Sequence, residues 1–363
     1  MIYREAGQFK TSYAADQAVF PIVQDRVVVG AFLALAFVLP PALASEYWLQ
    51  AVLIPFLVYA MATVGLNLLT GYAGQVSLGT GGFMAVGAYA AFKLTTGFPG
   101  LSILLVFVLA GVIAALVGIV FGLPSLRIKG FYLAVATLAA QFFLIWLFNK
   151  VGWFVNYASS GTITAPPRTV MGFMVTGPEA TAAARYVVAL GLVVVFGMIA
   201  KNLVRGRIGR SWMAIRDRDI AAEIIGVRPG RYKVGAFAVS SGMAAAGGAL
   251  FGSYQQYVSP DEWSLFLSIQ YIAIIIVGGI GTIFGAIVGA VFLGGMPGLI
   301  DRYSDSIPFV ATSATDDGFI SVFSLNQAIF GLLIVLFLVF EPRGLAAVWL
   351  RTKAYFRSWP FSY

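Results

Sequence analysis

The chain contains no cysteine and no histidine, and only 10% of its 363 residues are charged. Without cysteine there is no disulfide and no thiolate chemistry. Without histidine, His-dependent intramembrane proteolysis and His-ligated metal sites are excluded. A soluble domain typically carries about 25% charged residues, so this chain cannot cover a water-facing surface. Two further absences narrow its mechanism. The phosphate-binding Gly-x-x-x-x-Gly-Lys-Ser/Thr loop is missing. No Asp, Glu, Lys or Arg falls near the middle of an apolar run, where proton relays, ion pathways and voltage sensors place them. Any uphill work would draw its energy from another subunit, although sodium coupling through carbonyls and hydroxyls stays open.

What is present is apolar surface. Hydrophobic residues make up 60% of the chain, and its mean hydropathy is +0.90. Runs of about 20 apolar residues recur, the length that crosses a bilayer as helix. The 41 glycines fit close packing between membrane helices. The expected fold class is all-α, a polytopic helical membrane protein. A β-barrel would need short alternating segments, and the sequence has none. Ten spans are expected, at 27–44, 47–69, 77–96, 101–123, 130–149, 185–203, 234–256, 267–279, 282–300 and 327–340. They divide the chain into a polar segment 1–26, a membrane domain 27–343 with a basic loop at 204–233, and a basic tail 344–363. Ala42-Leu43-Ala44 resembles a signal-peptidase site, but the preceding polar region is long and has no net charge, unlike a signal peptide. An uncleaved first span is the expectation.

Lys and Arg set the orientation. With the N-terminus inside, inner segments hold 18 of the 23 basic residues and outer positions hold five: Lys93, Lys150, Arg168, Arg185 and Arg302. The last two outer loops are acidic, with Asp261 and Glu262, then Asp301, Asp305, Asp316 and Asp317. This distribution predicts N-in, C-in topology. The longest outer connection, 150–184, contains Pro166, Pro167 and Pro178 and is expected to be irregular.

Three constellations stand out. In the first, residues 65–79 crowd Asn67, Thr70, Tyr72, Gln75 and Ser77 around Gly71, Gly74 and Gly79 between two apolar spans. Irregular polar backbone near a membrane is tolerated where protein or a water-filled cavity satisfies it, and broken helices of this kind bind substrates in transporters. An ordinary short loop is the bland alternative. In the second, Gly118 and Gly122, Gly248 and Gly252, and Gly281, Gly285 and Gly289 recur four apart. That spacing makes a groove for another helix, and packing within the chain is favoured over a dimer face.

The third constellation is 201–233, which carries nine of the 23 basic residues. Ser211 is placed to cap a helix and Gly226, with Pro229 beyond, to end it. Met213, Ile220 and Ile224 fall on one face, and Arg216, Asp217, Arg218 and Asp219 form a charged cluster. An amphipathic helix over 211–225 is predicted. Its partner could be anionic membrane lipid, nucleic acid, or a protein groove. Nucleic acid is disfavoured because stacking aromatics are missing apart from Trp212. Mixed Arg and Asp favour a protein over lipid, which rewards unbroken positive charge.

Ala221-Ala222 followed by Gly226 resembles the core of the EAA loop of permeases in ATP-binding-cassette importers, with Ile220 in place of the opening Glu. The departures from that loop point to the branched-chain (hydrophobic) amino-acid permease family. GLNLLTGYAGQVSLGTGGFMAVGAYAA at 65–91, GRSWMAIRDRDIAAEIIGVRPGRYKVGAFAVSSGMAAAGGALFG at 209–252 and EPRGL at 341–345 are similar to that family. The chain looks most like the larger of the two paired permeases, over most of 55–345. The resemblance implies a non-catalytic subunit with no cofactor, in the bacterial inner membrane. It implies a second permease subunit, two ATPase subunits beneath and a periplasmic substrate-binding protein above. It implies that helix 211–225 is the coupling helix, with Arg216, Asp217, Asp219, Ala221, Ala222 and Gly226 engaging an ATPase. Asn67, Tyr72, Gln75 and Ser77 are the candidates for the substrate pathway. Branched-chain amino acids, urea and short amides, and aromatic acids are all substrates of similar permeases. A self-contained secondary transporter is the runner-up, ahead of a membrane enzyme or a scaffold.

Overall fold

The computed structural model describes residues 11–12, 23–127, 130–158, 160–164, 166–170, 172–177, 179–304, 310–311 and 320–358. Arg4, Glu5, Lys10, Asp16, Lys129, Pro178, Asp305, Asp316 and Asp317 lie outside the described residues, as does 359–363.

A helix is found at each of the ten expected spans. They are α1 (Val23–Leu43), α2 (Trp48–Tyr72), α3 (Thr80–Gly97), α4 (Ile103–Gly122), α5 (Phe131–Lys150), α6 (Ala182–Arg205), α9 (Pro229–Gln255), α10 (Leu265–Gly278), α11 (Ile283–Gly294) continued by α12 (Met296–Tyr303), and α13 (Val322–Phe340). Eight of these are long and apolar enough to cross a bilayer. The α10 helix is shorter, at 14 residues. Two short helices, α7 (Arg207–Asp217) and α8 (Asp219–Ile224), fill the basic loop, and α14 (Gly344–Ser358) follows α13. The molecule is therefore an all-α polytopic membrane protein.

Helix starts follow from local chemistry. Ser102, Thr181, Ser264, Thr282 and Ser321 each stand before a helix and accept a hydrogen bond from the N–H three residues on. That satisfies one of the donors a helix N-terminus leaves free.

The α2 and α9 helices form the centre. In their most apolar stretches 78% and 72% of residues are buried, against none in α1 and α13, which lie at the edge. The run of Ala, Gly and Ser in α9 explains its place, because small side chains let backbones approach. A Cβ on Gly248 would lie 2.0 Å from the Met84 carbonyl of α3, and one on Gly118 of α4 would lie 1.8 Å from Ser241 Oγ. Gly285 and Gly289 pack in the same way against Gly278 of α10. The four-residue glycine spacings thus serve packing within the chain, as expected.

The connection 150–184 is more ordered than its prolines led us to expect. Arg168–Val170 (β2) pairs with Phe173–Thr176 (β3) as a hairpin, and Ile163–Thr164 (β1) pairs with Tyr257–Val258 (β4) after α9. Gly172, at φ +86°, makes the tight turn. The Arg168 guanidinium donates to the carbonyls of Thr95 and Pro99, so long-range bonds supply the order that local propensity lacks. At the other end of the bundle, the expected tail is the helix α14. It is pinned by buried Gly344 and Ala346 against the α10–α11 turn and by an ion pair between Arg351 and Glu341.

Candidate functional site

The polar, glycine-rich stretch begins where α2 unwinds. Residues 68–72 form a π turn, with the N–H of Ala73 donating to the Leu68 carbonyl at 3.1 Å. Such turns mark functional sites often enough to direct attention there. Residues 73–79 then run without helix until α3 starts at Thr80. Their side chains alternate: Ala73, Gln75, Ser77 and Gly79 are buried, while Gly74 and Val76 are exposed and Leu78 is half-buried. The segment has one face against the bundle and one face free.

The bundle side is wired in detail. The N–H of Leu78 donates to Thr137 Oγ1 at 2.9 Å, and the N–H of Gly81 to Ser268 Oγ at 2.9 Å. Gln141 Oε1 accepts from the N–H of Gly82, while Gln141 Nε2 donates to the Trp263 carbonyl at 2.7 Å. Side chains of α5 and α10 thus satisfy the start of α3, a requirement in a medium without water.

The four pathway candidates have different positions. Asn67 is a clasp: Nδ2 donates to the Thr282 carbonyl at 2.7 Å, and Oδ1 accepts from the N–H of Gly281 at 2.8 Å. It fastens α2 to the α10–α11 turn. Tyr72 is buried beneath the segment. Ser77 Oγ is buried and accepts from the N–H of Gly79 at 3.2 Å. Gln75 is 4% exposed, and among the described residues neither of its amide atoms has a hydrogen-bond partner. The free face belongs instead to Val76 and, in part, Leu78, while the α7 residue Arg216 lies against Gly74. Sequence reasoning missed Gln141, Ser268 and Thr137. Gln141 had a visible signal, one amide within an apolar span.

In the basic loop, the single helix expected over 211–225 is two helices. Arg218 is extended (φ −157°, ψ 100°) and separates α7 from α8. The α7 helix starts at Arg207, so Ser211 lies within it, its Oγ bonded to the Arg207 carbonyl at 3.0 Å, and is not a cap. Trp212 is buried, and its Nε1 donates to the Tyr232 carbonyl at 2.9 Å, anchoring α7 to α9. Asp219 lies 3.8 Å from Lys233 and holds α8 to the start of α9. Ala222 is buried and Ala221 exposed. Gly226, at φ +89°, follows α8 and lets the N–H of Val227 reach the Ala222 carbonyl at 3.0 Å. This is the left-handed stop expected of it. Ile220, Ile224 and Ile225 are 71%, 81% and 74% exposed. The shared apolar face with Met213 does not form, because the break at Arg218 turns α8 away from α7.

At the opposite end, Lys93 lies over the Trp153 ring, 4.2 Å from its centroid, and donates to Asn156 Oδ1. Tyr257 Oη donates to Glu262 Oε1 at 3.0 Å. That bond, with burial and the carboxylate's charge behind it, holds the Tyr257 phenol above its ordinary range. Among the described residues no group of three or more acidic side chains is placed to hold a metal ion.

A helical bundle of bilayer length, an irregular segment free on one face and an exposed helix pair at one basic end define a polytopic membrane permease. The family described as branched-chain amino acid transport system / permease component matches residues 49–338, and the chain belongs to it. It is 33% identical over 257 residues to the high-affinity branched-chain amino acid transport system permease protein LivM of Salmonella typhimurium, covering 65% of this chain and 60% of that one. The Escherichia coli LivM is 32% identical over the same shares. The autoinducer 2 import system permease protein LsrC of Salmonella paratyphi B is 34% identical over 102 residues, 26% of this chain and 29% of its own length. The chain spans about 60% of the length of the LivM relatives it matches. No solved structure matches.

Proposed function

We propose that this chain is a non-catalytic permease subunit of an ATP-driven importer in the bacterial inner membrane. In this reading it forms half of a translocation pathway with a second permease subunit. Two ATPase subunits dock at its basic end, and a periplasmic binding protein delivers substrate at the opposite end. The observation that carries the reading is α8. Three large apolar side chains, Ile220, Ile224 and Ile225, stand exposed at the basic end of the bundle. A short helix with such a face fits a hydrophobic groove in a partner. Residues Asp217, Ala221 and Gly226 are also exposed there and complete the docking surface, while half-buried Asp219 and buried Ala222 hold α8 from behind.

The substrate we propose is a branched-chain amino acid or a related small solute. The LivM relatives are named for that transport. Exposed Val76 and half-buried Leu78 give the free face of the irregular segment its apolar character, which suits brief contact with an aliphatic side chain. Residues Asn67, Tyr72, Gln75 and Ser77 hold that segment from the buried side. Selection among solutes would then fall chiefly to the binding protein.

The test is co-purification from mild detergent, comparing wild type with Ile220→Asp plus Ile224→Asp. Both positions are exposed, so the fold is unaffected. An ATPase that accompanies wild type and is lost from the variant supports the reading. A wild-type chain that retains no ATPase under crosslinking, or transports alone in liposomes, brings the secondary transporter to the front.

A further inference from the structure

The basic helix pair and the irregular segment meet at one side chain. Arg216, in the last turn of α7, donates Nη1 to the Gly71 carbonyl at 2.8 Å. Its Nε and Nη2 both engage Asp217 Oδ1, at 3.0 and 2.9 Å. Gly71 lies in the π turn that ends α2. Carbonyls at a helix C-terminus lack intrahelical partners and carry partial negative charge, so a guanidinium caps them well.

Glycines make the contact close. A Cβ on Gly74, the second residue of the unwound stretch, would lie 2.7 Å from Arg216 Cγ. A Cβ on Gly71 would lie 2.3 Å from the Gly281 nitrogen. The α10–α11 turn is therefore pressed against the same point, where Asn67 clasps it. One arginine thus touches the end of α2 through its guanidinium and the start of the unwound segment through its Cγ, while its own helix leads directly into α8.

We propose that Arg216 is a positioning residue that transmits displacement of the α7–α8 pair to the segment 73–79, through the Gly71 carbonyl and the Gly74 contact. Asp217 orients the fork. This rests on the docking reading above, but it moves Arg216 from the partner-facing set to the contact between α7 and the end of α2, where its side chain stays 38% exposed. A planar fork is needed to hold Gly71 and Asp217 together. A lysine supplies a point charge and keeps only part of the arrangement.

The experiment uses the assembled importer in proteoliposomes. The chain has no native cysteine, so Val76→Cys places a single thiol on the free face. The rate of its reaction with a small maleimide is read with and without ATP plus vanadate. Three versions of the chain are compared: Arg216 intact, Arg216→Ala and Arg216→Lys. With Arg216 intact, ATP changes the rate. With Arg216→Ala, the ATPases stay bound and the ATP-dependent change shrinks about tenfold, the scale of losing one charge-assisted hydrogen bond. Arg216→Lys falls between. Gly74→Ala, which displaces Arg216 from the other side, reproduces the loss and covers the case in which Arg216→Ala fails to fold. An undiminished ATP response in Arg216→Ala overturns the proposal. So does loss of the ATPases from that variant, which would make Arg216 a docking residue. Absence of ATPases from the complex with Arg216 intact would instead sink the docking reading itself.

Discussion

Gln75 and Gln141 are both buried, and the same substitution should move stability in opposite directions at the two sites. Gln141 is fully engaged, accepting from Gly82 and Ser268 and donating to Trp263. Gln141→Leu leaves the Gly82 N–H and the Trp263 carbonyl without partners, at a cost of about 1–3 kcal/mol. Gln75 has neither amide atom paired among the described residues. Gln75→Leu removes a buried unsatisfied group at similar volume, so it should raise the stability of this conformation by about 1–3 kcal/mol. Thermal unfolding in detergent, followed by tryptophan fluorescence, measures both. A drop in Tm for Gln75→Leu would show that its amide is satisfied. The polar, glycine-rich composition of 65–79 announced an irregular segment. It could not announce which side chains face inward, because the alternation along 73–79 is set by α5, α7 and α10 packing from distant parts of the chain. Composition therefore pointed to Gln75 and Ser77, whereas the free face is centred on Val76.

The helix α9 offers a comparison within one element. Gly248 and Gly235 are both mid-helix glycines, and intrinsic propensity favours alanine at either by about 0.5–1 kcal/mol. Their surroundings differ. At Gly248 an added Cβ would lie 2.0 Å from the Met84 carbonyl, whereas at Gly235 it meets no described atom within 4 Å. Gly235→Ala should therefore be neutral or stabilising. Gly248→Ala should push α3 from α9 and cost about 1–3 kcal/mol, the usual range for overpacking. Tm and the monodisperse yield after extraction distinguish them. Equal effects would mean that the α3–α9 contact is looser than its geometry. The spans themselves were legible because hydropathy and length decide them, and so was the role of the repeated glycines in packing. The division of the basic loop into α7 and α8 was not. Arg218 is an acceptable helix residue by propensity, and its extended backbone answers to tertiary partners on both sides. These are Trp212 and Arg216 bonded back into the bundle, and Asp219 drawn to Lys233.

For the whole molecule, the asymmetry of charge and the placement of the two candidate regions must agree. In the proposed docking an ATPase works where ATP is, so that reading requires the exposed isoleucines of α8 to face the cytoplasm. The 18-to-5 distribution of Lys and Arg puts them there independently. The α14 helix packs against the α10–α11 turn at the same end, so it must share that side, while the β2–β3 hairpin must lie across the membrane. Thr352 and Thr169 are exposed on these two elements, and Thr→Cys is a small change at either. With no native thiol to interfere, a membrane-impermeant maleimide reads each side cleanly. Thr169→Cys should label in intact spheroplasts, and Thr352→Cys only after the membrane is opened. Labelling of both in intact spheroplasts would mean an even number of crossings between them, in place of the five the fold provides, and would break the C-terminal half of the topology. The reverse pattern would invert the molecule and place α8 outside. No ATPase could then dock on Ile220 and Ile224, and Arg216 would have nothing to transmit. Orientation therefore decides whether the apolar face of α8 and the guanidinium behind it belong to one energy-coupling device.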